Sequence, residues 1–119
     1  MILIVDSGST KTDWIALDNN GNELFSTQTL GLNPQMLSNE ILNERIKNNF
    51  DIYKNRKVVE KLFFYGAGCG VESTQNRILK VFRSIFSKSE FDIKEDTYAA
   101  VFSAVDEGKP SIDVSYKHL

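Results

Sequence analysis

The chain has 119 residues, a formal net charge of −2 and a single cysteine, Cys69. That length suits one domain, the charge balance excludes nucleic-acid binding through a basic surface, and one cysteine excludes a disulfide framework. No apolar run approaches the roughly 20 residues of a membrane span, and the N-terminus runs straight into an apolar strand instead of a leader. A cytoplasmic protein without nucleic-acid or membrane partners is therefore expected.

Taken in chain order, Ile2-Leu3-Ile4-Val5 is short, apolar and rich in β-branched residues, which predicts a buried strand over 2–5. It stops at Asp6, and Ser7-Gly8-Ser9-Thr10-Lys11-Thr12 follows before a second strand over 13–17. Asp18-Asn19-Asn20-Gly21 contains an Asn-Gly hairpin signal, which leads to a third strand over 23–29. The period then becomes helical: Leu37, Ile41, Leu42, Ile46 and Phe50 predict one amphipathic helix, with Glu40, Glu44, Arg45 and Lys47 between them. Lys54-Asn55-Arg56-Lys57 reads as a solvated loop. A fourth strand is expected over 61–65, a helix over 73–86 and a short fifth strand over 91–93. A third helix is expected over 97–106, stopped by Gly108 and Pro110. The order βββαβαβα predicts an α/β fold with a mixed five-stranded sheet and helices on both faces. His118, the only histidine, sits in a tail without periodicity.

Chemistry is expected where loops follow strands, because ligands of open sheets bind outside the carboxyl ends of strands. Asp6, the 66–70 loop and Asp96 all qualify. The turn 6–12 combines an acid, a glycine, hydroxyls and a lysine, which suits phosphate groups and a hard metal ion; the competing reading is a polar hairpin loop. It lacks the two spaced glycines of a Walker A loop. In Gly66-Ala67-Gly68-Cys69-Gly70, Val71 stands where a dinucleotide fingerprint needs its third glycine. This loop is left as either a strand-to-helix turn or a close approach to a small ligand. Asn33-Pro34 reads as a helix start or as a ligand contact. Asp96 reads as the N-cap of the third helix or as a carboxylate that accepts a proton from a substrate hydroxyl.

Residues 1 to about 107 resemble the N-terminal lobe of the acetate and sugar kinase/Hsp70/actin superfamily, in the branch of N-acetylglucosamine kinases and BadF/BadG-type ATPases. The matching segments are Ile2-Leu3-Ile4-Val5-Asp6-Ser7-Gly8-Ser9-Thr10-Lys11-Thr12-Asp13-Trp14, Gly31-Leu32-Asn33-Pro34, Tyr65-Gly66-Ala67-Gly68 and Lys94-Glu95-Asp96-Thr97-Tyr98-Ala99-Ala100. The resemblance implies a ribonuclease H-like, actin-like ATPase lobe and phosphoryl transfer from Mg-ATP to an amino-sugar hydroxyl. It implies that Gly8, Ser9, Thr10, Lys11 and Thr12 contact the ATP phosphates and that Asp6 holds Mg²⁺. It implies further that Asn33 and Gly68 touch the sugar, and that Asp96 is both sugar ligand and general base.

Relatives in that branch continue into a second lobe opened by a Gly-Thr-Gly strand. Here residues 108–119 form an irregular tail, with Asp113-Val114-Ser115-Tyr116-Lys117-His118-Leu119 in place of that turn. A lone lobe cannot close over ATP, so little activity and self-association through the exposed cleft face are expected. Two alternatives accompany this reading: a BadF-type ATPase lobe, and a non-catalytic interaction domain with the same fold.

Overall fold

A computed structural model describes residues 1–95. The elements are β1 (Ile2–Ser7), β2 (Lys11–Leu17), β3 (Glu23–Leu30), α1 (Asn39–Lys47), α2 (Phe50–Lys54), β4 (Lys61–Gly66), α3 (Glu72–Ile85) and β5 (Glu90–Glu95). The five strands form one sheet in the order β3-β2-β1-β4-β5. The first three are antiparallel neighbours, and β1, β4 and β5 are parallel. The mixed five-stranded sheet expected from the sequence is thus present. The third helix expected over 97–106, Asp96 and the 108–119 tail lie outside the described residues.

Strand parity decides what each face carries. Leu3 and Val5 of β1, Trp14 and Ala16 of β2, and Leu62 and Phe64 of β4 point to the helix side. There they join Leu42 and Ile46 of α1, Ile52 of α2, and Ile78, Val81, Phe82 and Ile85 of α3 in one core. Phe82 is its aromatic hub, edge-on to Phe64 at 5.1 Å between ring centroids and stacked on Phe91 at 6.0 Å. The alternate residues Ile4, Ile15, Leu17 and Tyr65 form a smaller cluster on the opposite face, flanked by Ile2 and Phe63. All three helices among the described residues pack on the first face.

Two local expectations are corrected. The single helix expected from Leu37 to Phe50 is divided at Asn48 and Asn49. Asn49 takes an extended conformation as the N-cap of α2, accepting from Ile52 N at 3.1 Å and donating through Nδ2 to Thr27 Oγ1 at 3.0 Å. An asparagine that bonds local backbone competes with helix continuation, so Phe50 leaves the buried stripe and is 73% exposed. The helix also starts later than Asn33-Pro34 implied: Ser38 is the N-cap of α1, accepting from Ile41 N at 3.3 Å. Within the expected solvated loop, Lys54 ends α2 and Arg56 stacks its guanidinium on the Tyr53 ring at 3.9 Å.

Candidate functional site

The topology brings several chain segments to one edge of the sheet. β3 runs in the same direction as β1, being antiparallel to β2. The ends of β1, β3, β4 and β5 therefore lie together, and their register ties them: Ser7 pairs with Thr12 and Gly66, Gly66 with Glu95, and Lys11 with Leu30. The turn after β1, the loop after β3 and the loop after β4 share this edge.

The turn after β1 is a tight hairpin closed by Gly8 N donating to the Lys11 carbonyl at 2.9 Å. Its polar residues divide by position. Ser7 and Thr12 are buried on the helix side. The Thr12 hydroxyl lies 2.9 Å from Ser7 Oγ and 3.1 Å from the Leu30 carbonyl, and Leu32 N donates to Ser7 Oγ at 2.9 Å. Thr12, expected at the phosphates, thus turns its hydroxyl inward and locks the turn to the end of β3. Ser9, Thr10 and Lys11 are exposed at the tip, and their side chains make no hydrogen bond among the described residues. Gly31 N donates to the Thr10 carbonyl at 2.9 Å. A Cβ on Gly31 would stand 2.6 Å from the Ser9 carbonyl oxygen, so only glycine allows this approach. From outside, Arg45 Nη1 donates to the Gly31 carbonyl at 2.6 Å.

Asp6 is half-buried on the face opposite the helices, at the last turn of β1's even side. Its ladder partner across β1–β2 is Asp13, so the two carboxylates face the same side. Gln28 Nε2 donates to Asp13 Oδ1 at 2.6 Å. Two hard oxygen donors on one face suit a divalent cation such as Mg²⁺. Asp13 was not among the residues singled out from the sequence; the antiparallel register is what brings it to Asp6.

Asn33 and Gly68, distant in sequence, are in contact. Gly68 takes φ +82, and a Cβ there would overlap Asn33 Oδ1. Asn33 Oδ1 accepts from Gln35 N at 2.9 Å and its carbonyl accepts from Met36 N and Leu37 N, so the residue caps a turn instead of a helix. The 66–70 loop is held by Ala67 N donating to the Ser7 carbonyl at 2.9 Å and by Gln75 Nε2 donating to the Cys69 carbonyl at 2.7 Å. Cys69, the chain's single cysteine, is buried. The structure therefore brings Gly8, Ser9, Thr10, Lys11, Asn33 and Gly68 to one edge of the sheet, with Asp6 beside them on the far face. Glu95 ends β5 at the same edge. Asp96 lies outside the described residues.

No protein-family model and no curated protein matches the chain. Among solved structures, one from Porphyromonas gingivalis, provisionally assigned as an N-acetylglucosamine kinase, superposes with a TM-score of 0.78 and 27% identity over 87% of this chain. The chain spans 37% of the length of that kinase. Among the described residues no helix is long and apolar enough to cross a membrane. In fold, a mixed five-stranded sheet with helices, the chain is similar to part of that solved structure.

Proposed function

We propose that this chain forms the sugar- and phosphate-binding lobe of an ATP-dependent amino-sugar kinase. One observation carries the reading: a hairpin tip whose polar side chains make no hydrogen bond among the described residues lies on the same sheet edge as the Asn33–Gly68 contact. A loop made only to reverse the chain uses its polar groups locally. Donors left at the tip suit the terminal phosphates of ATP, and the Asn33 amide beside a glycine suits a sugar hydroxyl or amide.

In this reading the tip residues Gly8, Ser9, Thr10 and Lys11, with the backbone of Thr12, face the phosphates. Asp6, with Asp13 as its ladder neighbour, would hold Mg²⁺, which supplies charge neutralisation at the phosphates when bound. Asn33 and Gly68 orient the sugar. The sugar hydroxyl oxygen attacks the γ-phosphorus, the bond to the ADP oxygen breaks, and Asp96 accepts the hydroxyl proton. The protein contributes chiefly position and electrostatic complementarity. The remainder of the nucleotide site would come from a second lobe.

Calorimetric titration with N-acetylglucosamine, glucose and Mg-ATP tests the reading. N-acetylglucosamine should bind, and Asn33→Ala should weaken it about tenfold, the worth of a hydrogen bond left unmade in a binding site. A wild-type chain that binds neither sugar overturns the proposal. In any preparation that turns over, Asp96→Asn should abolish phosphoryl transfer while sugar affinity stays within about twofold, as expected when only a proton acceptor is lost.

A further inference from the structure

The loop that carries Asn33 is held by a residue far from it in sequence. Arg77 lies on the second turn of α3 and is half-buried. Its guanidinium donates through Nη1 to the Pro34 carbonyl, through Nη2 to the Leu37 carbonyl at 2.8 Å, and through Nε and Nη2 to Asn39 Oδ1 at 3.2 and 3.0 Å. It makes no ion pair among the described residues. Every one of these contacts falls on the 34–39 segment, and none on the hydrophobic core. A planar fork of fixed geometry is suited to holding several carbonyls at once, which a lysine ammonium cannot reproduce.

The same helix holds the facing loop. α3 follows directly from the 66–70 loop, and its Gln75 donates to the Cys69 carbonyl. One rigid element thus grips both walls at the point where Asn33 meets Gly68. The turn 33–37 has few bonds of its own: Gln35 N to Asn33 Oδ1, and Met36 N and Leu37 N to the Asn33 carbonyl. Gln35 and Met36 are exposed, Met36 at 78%.

We propose that Arg77 is the positioning residue of the substrate loop: from α3 it fixes the 34–37 backbone and so sets the Asn33 side chain against Gly68. The consequence for ligand binding rests on the amino-sugar reading above; the consequence for the loop does not. Arg77 touches neither the phosphate hairpin nor the Asp6–Asp13 pair, so its loss should separate sugar binding from nucleotide binding.

The experiment compares the 119-residue chain with its Arg77→Met and Arg77→Lys variants by amide hydrogen exchange and by titration with N-acetylglucosamine and with Mg-ATP. Methionine keeps the apolar stem and removes the fork. In Arg77→Met the amides of Gln35 and Leu37 should exchange at least tenfold faster, while those of Val5 and Phe64 stay within twofold. Arg77→Lys should fall between. N-acetylglucosamine affinity should drop about tenfold and Mg-ATP affinity should stay within twofold. Unchanged exchange at Gln35 and Leu37, or acceleration spread equally over Val5 and Phe64, overturns the assignment. If Arg77→Met does not fold, Arg77→Lys decides by the same pattern. Loop-confined acceleration in a protein whose wild type binds no N-acetylglucosamine supports the positioning role and overturns the amino-sugar reading.

Discussion

The two turns of the β1–β2–β3 meander are built in opposite ways. The second, over 18–22, sustains itself. Asp18 Oδ1 accepts from Asn20 N and Asn22 N at 2.9 Å each, Asp18 N donates to the Asn22 carbonyl, and Gly21 takes φ 83. The first, over 8–11, is held mainly from elsewhere. Gly31 N reaches the Thr10 carbonyl, Leu32 N reaches Ser7 Oγ, and Thr12 reaches the Leu30 carbonyl. A self-bonded turn consumes its polar side chains, whereas a turn braced by its neighbours keeps its tip for a ligand. Identical residue types serve both purposes: the Thr12 side chain is buried and bonded, while that of Thr10, two residues away, is exposed and makes no hydrogen bond among the described residues.

The sharpest way to break the contrast is Gly31→Ala. Its Cβ would press on the Ser9 carbonyl at 2.6 Å, the Ser9 carbonyl carbon at 2.9 Å and the Gly8 carbonyl oxygen at 3.0 Å. These are backbone atoms with no rotamer to escape into, so a cost of about 3 kcal/mol is expected, at the top of the usual overpacking range. Urea unfolding measures it. An unfolding midpoint equal to wild type would show that the first turn does not depend on the end of β3. Thr12→Val comes next. It keeps the shape and leaves the Leu30 carbonyl and Ser7 hydroxyl short of a partner, at a cost of about 2 kcal/mol. A Thr12→Val protein as stable as wild type would mean that the buried hydroxyl pair contributes nothing to the brace.

This difference also explains what could be read from the sequence. Asp18-Asn19-Asn20-Gly21 declared its turn because its stabilising groups are adjacent in the chain. The strands showed themselves through parity and β-branching, and α3 through the period of Ile78, Val81, Phe82 and Ile85. Asp6, Asn33 and the 66–70 loop were singled out because each follows a strand, while the sugar roles of Asn33 and Gly68 came from the family resemblance; that these two residues touch is read from the structure alone. The inward turn of Thr12, the pairing of Asp13 with Asp6 and the reach of Arg77 to Pro34 had no local signal. They depend on register and on helix placement, over separations of 5 to 43 residues. The break at Asn48 and Asn49 was missed for a related reason. Asn49 is committed by a bond to Thr27, which periodicity within 37–50 does not contain.

The tip itself offers a finer test. Thr10→Val and Lys11→Met remove exposed groups that have no hydrogen-bond partner among the described residues, so stability should move by less than about 0.5 kcal/mol, as for ordinary surface changes. Affinity for Mg-ATP should fall about tenfold for each, since hydrogen bonds to a charged group are worth about 1.5–3 kcal/mol. Equal affinity in both variants would return the tip to a simple chain reversal.

The smallest effect is expected at the self-sustained turn. The backbone N–H of Asn22, donated to the Asp18 carboxylate, holds Asp18 below the ordinary aspartate pKa, with the Asn20 N–H and Asn22 side chain assisting against slight desolvation. A carboxylate with a depressed folded-state pKa favours folding above the pKa it has when unfolded, and that contribution disappears as pH falls through the folded-state pKa. Asp18→Asn keeps an acceptor for the same N–H groups and removes the titration. The variant should be slightly less stable than wild type at pH 7, and the gap should close as the pH falls from the unfolded-state aspartate value of about 4 through the lower folded-state pKa of Asp18. Thermal melts of both proteins across this range follow the gap directly. A gap that stays constant with pH would mean that Asp18 organises its turn by shape and neutral hydrogen bonding alone. The two turns would then differ only in where their bonds come from, and not in their use of charge.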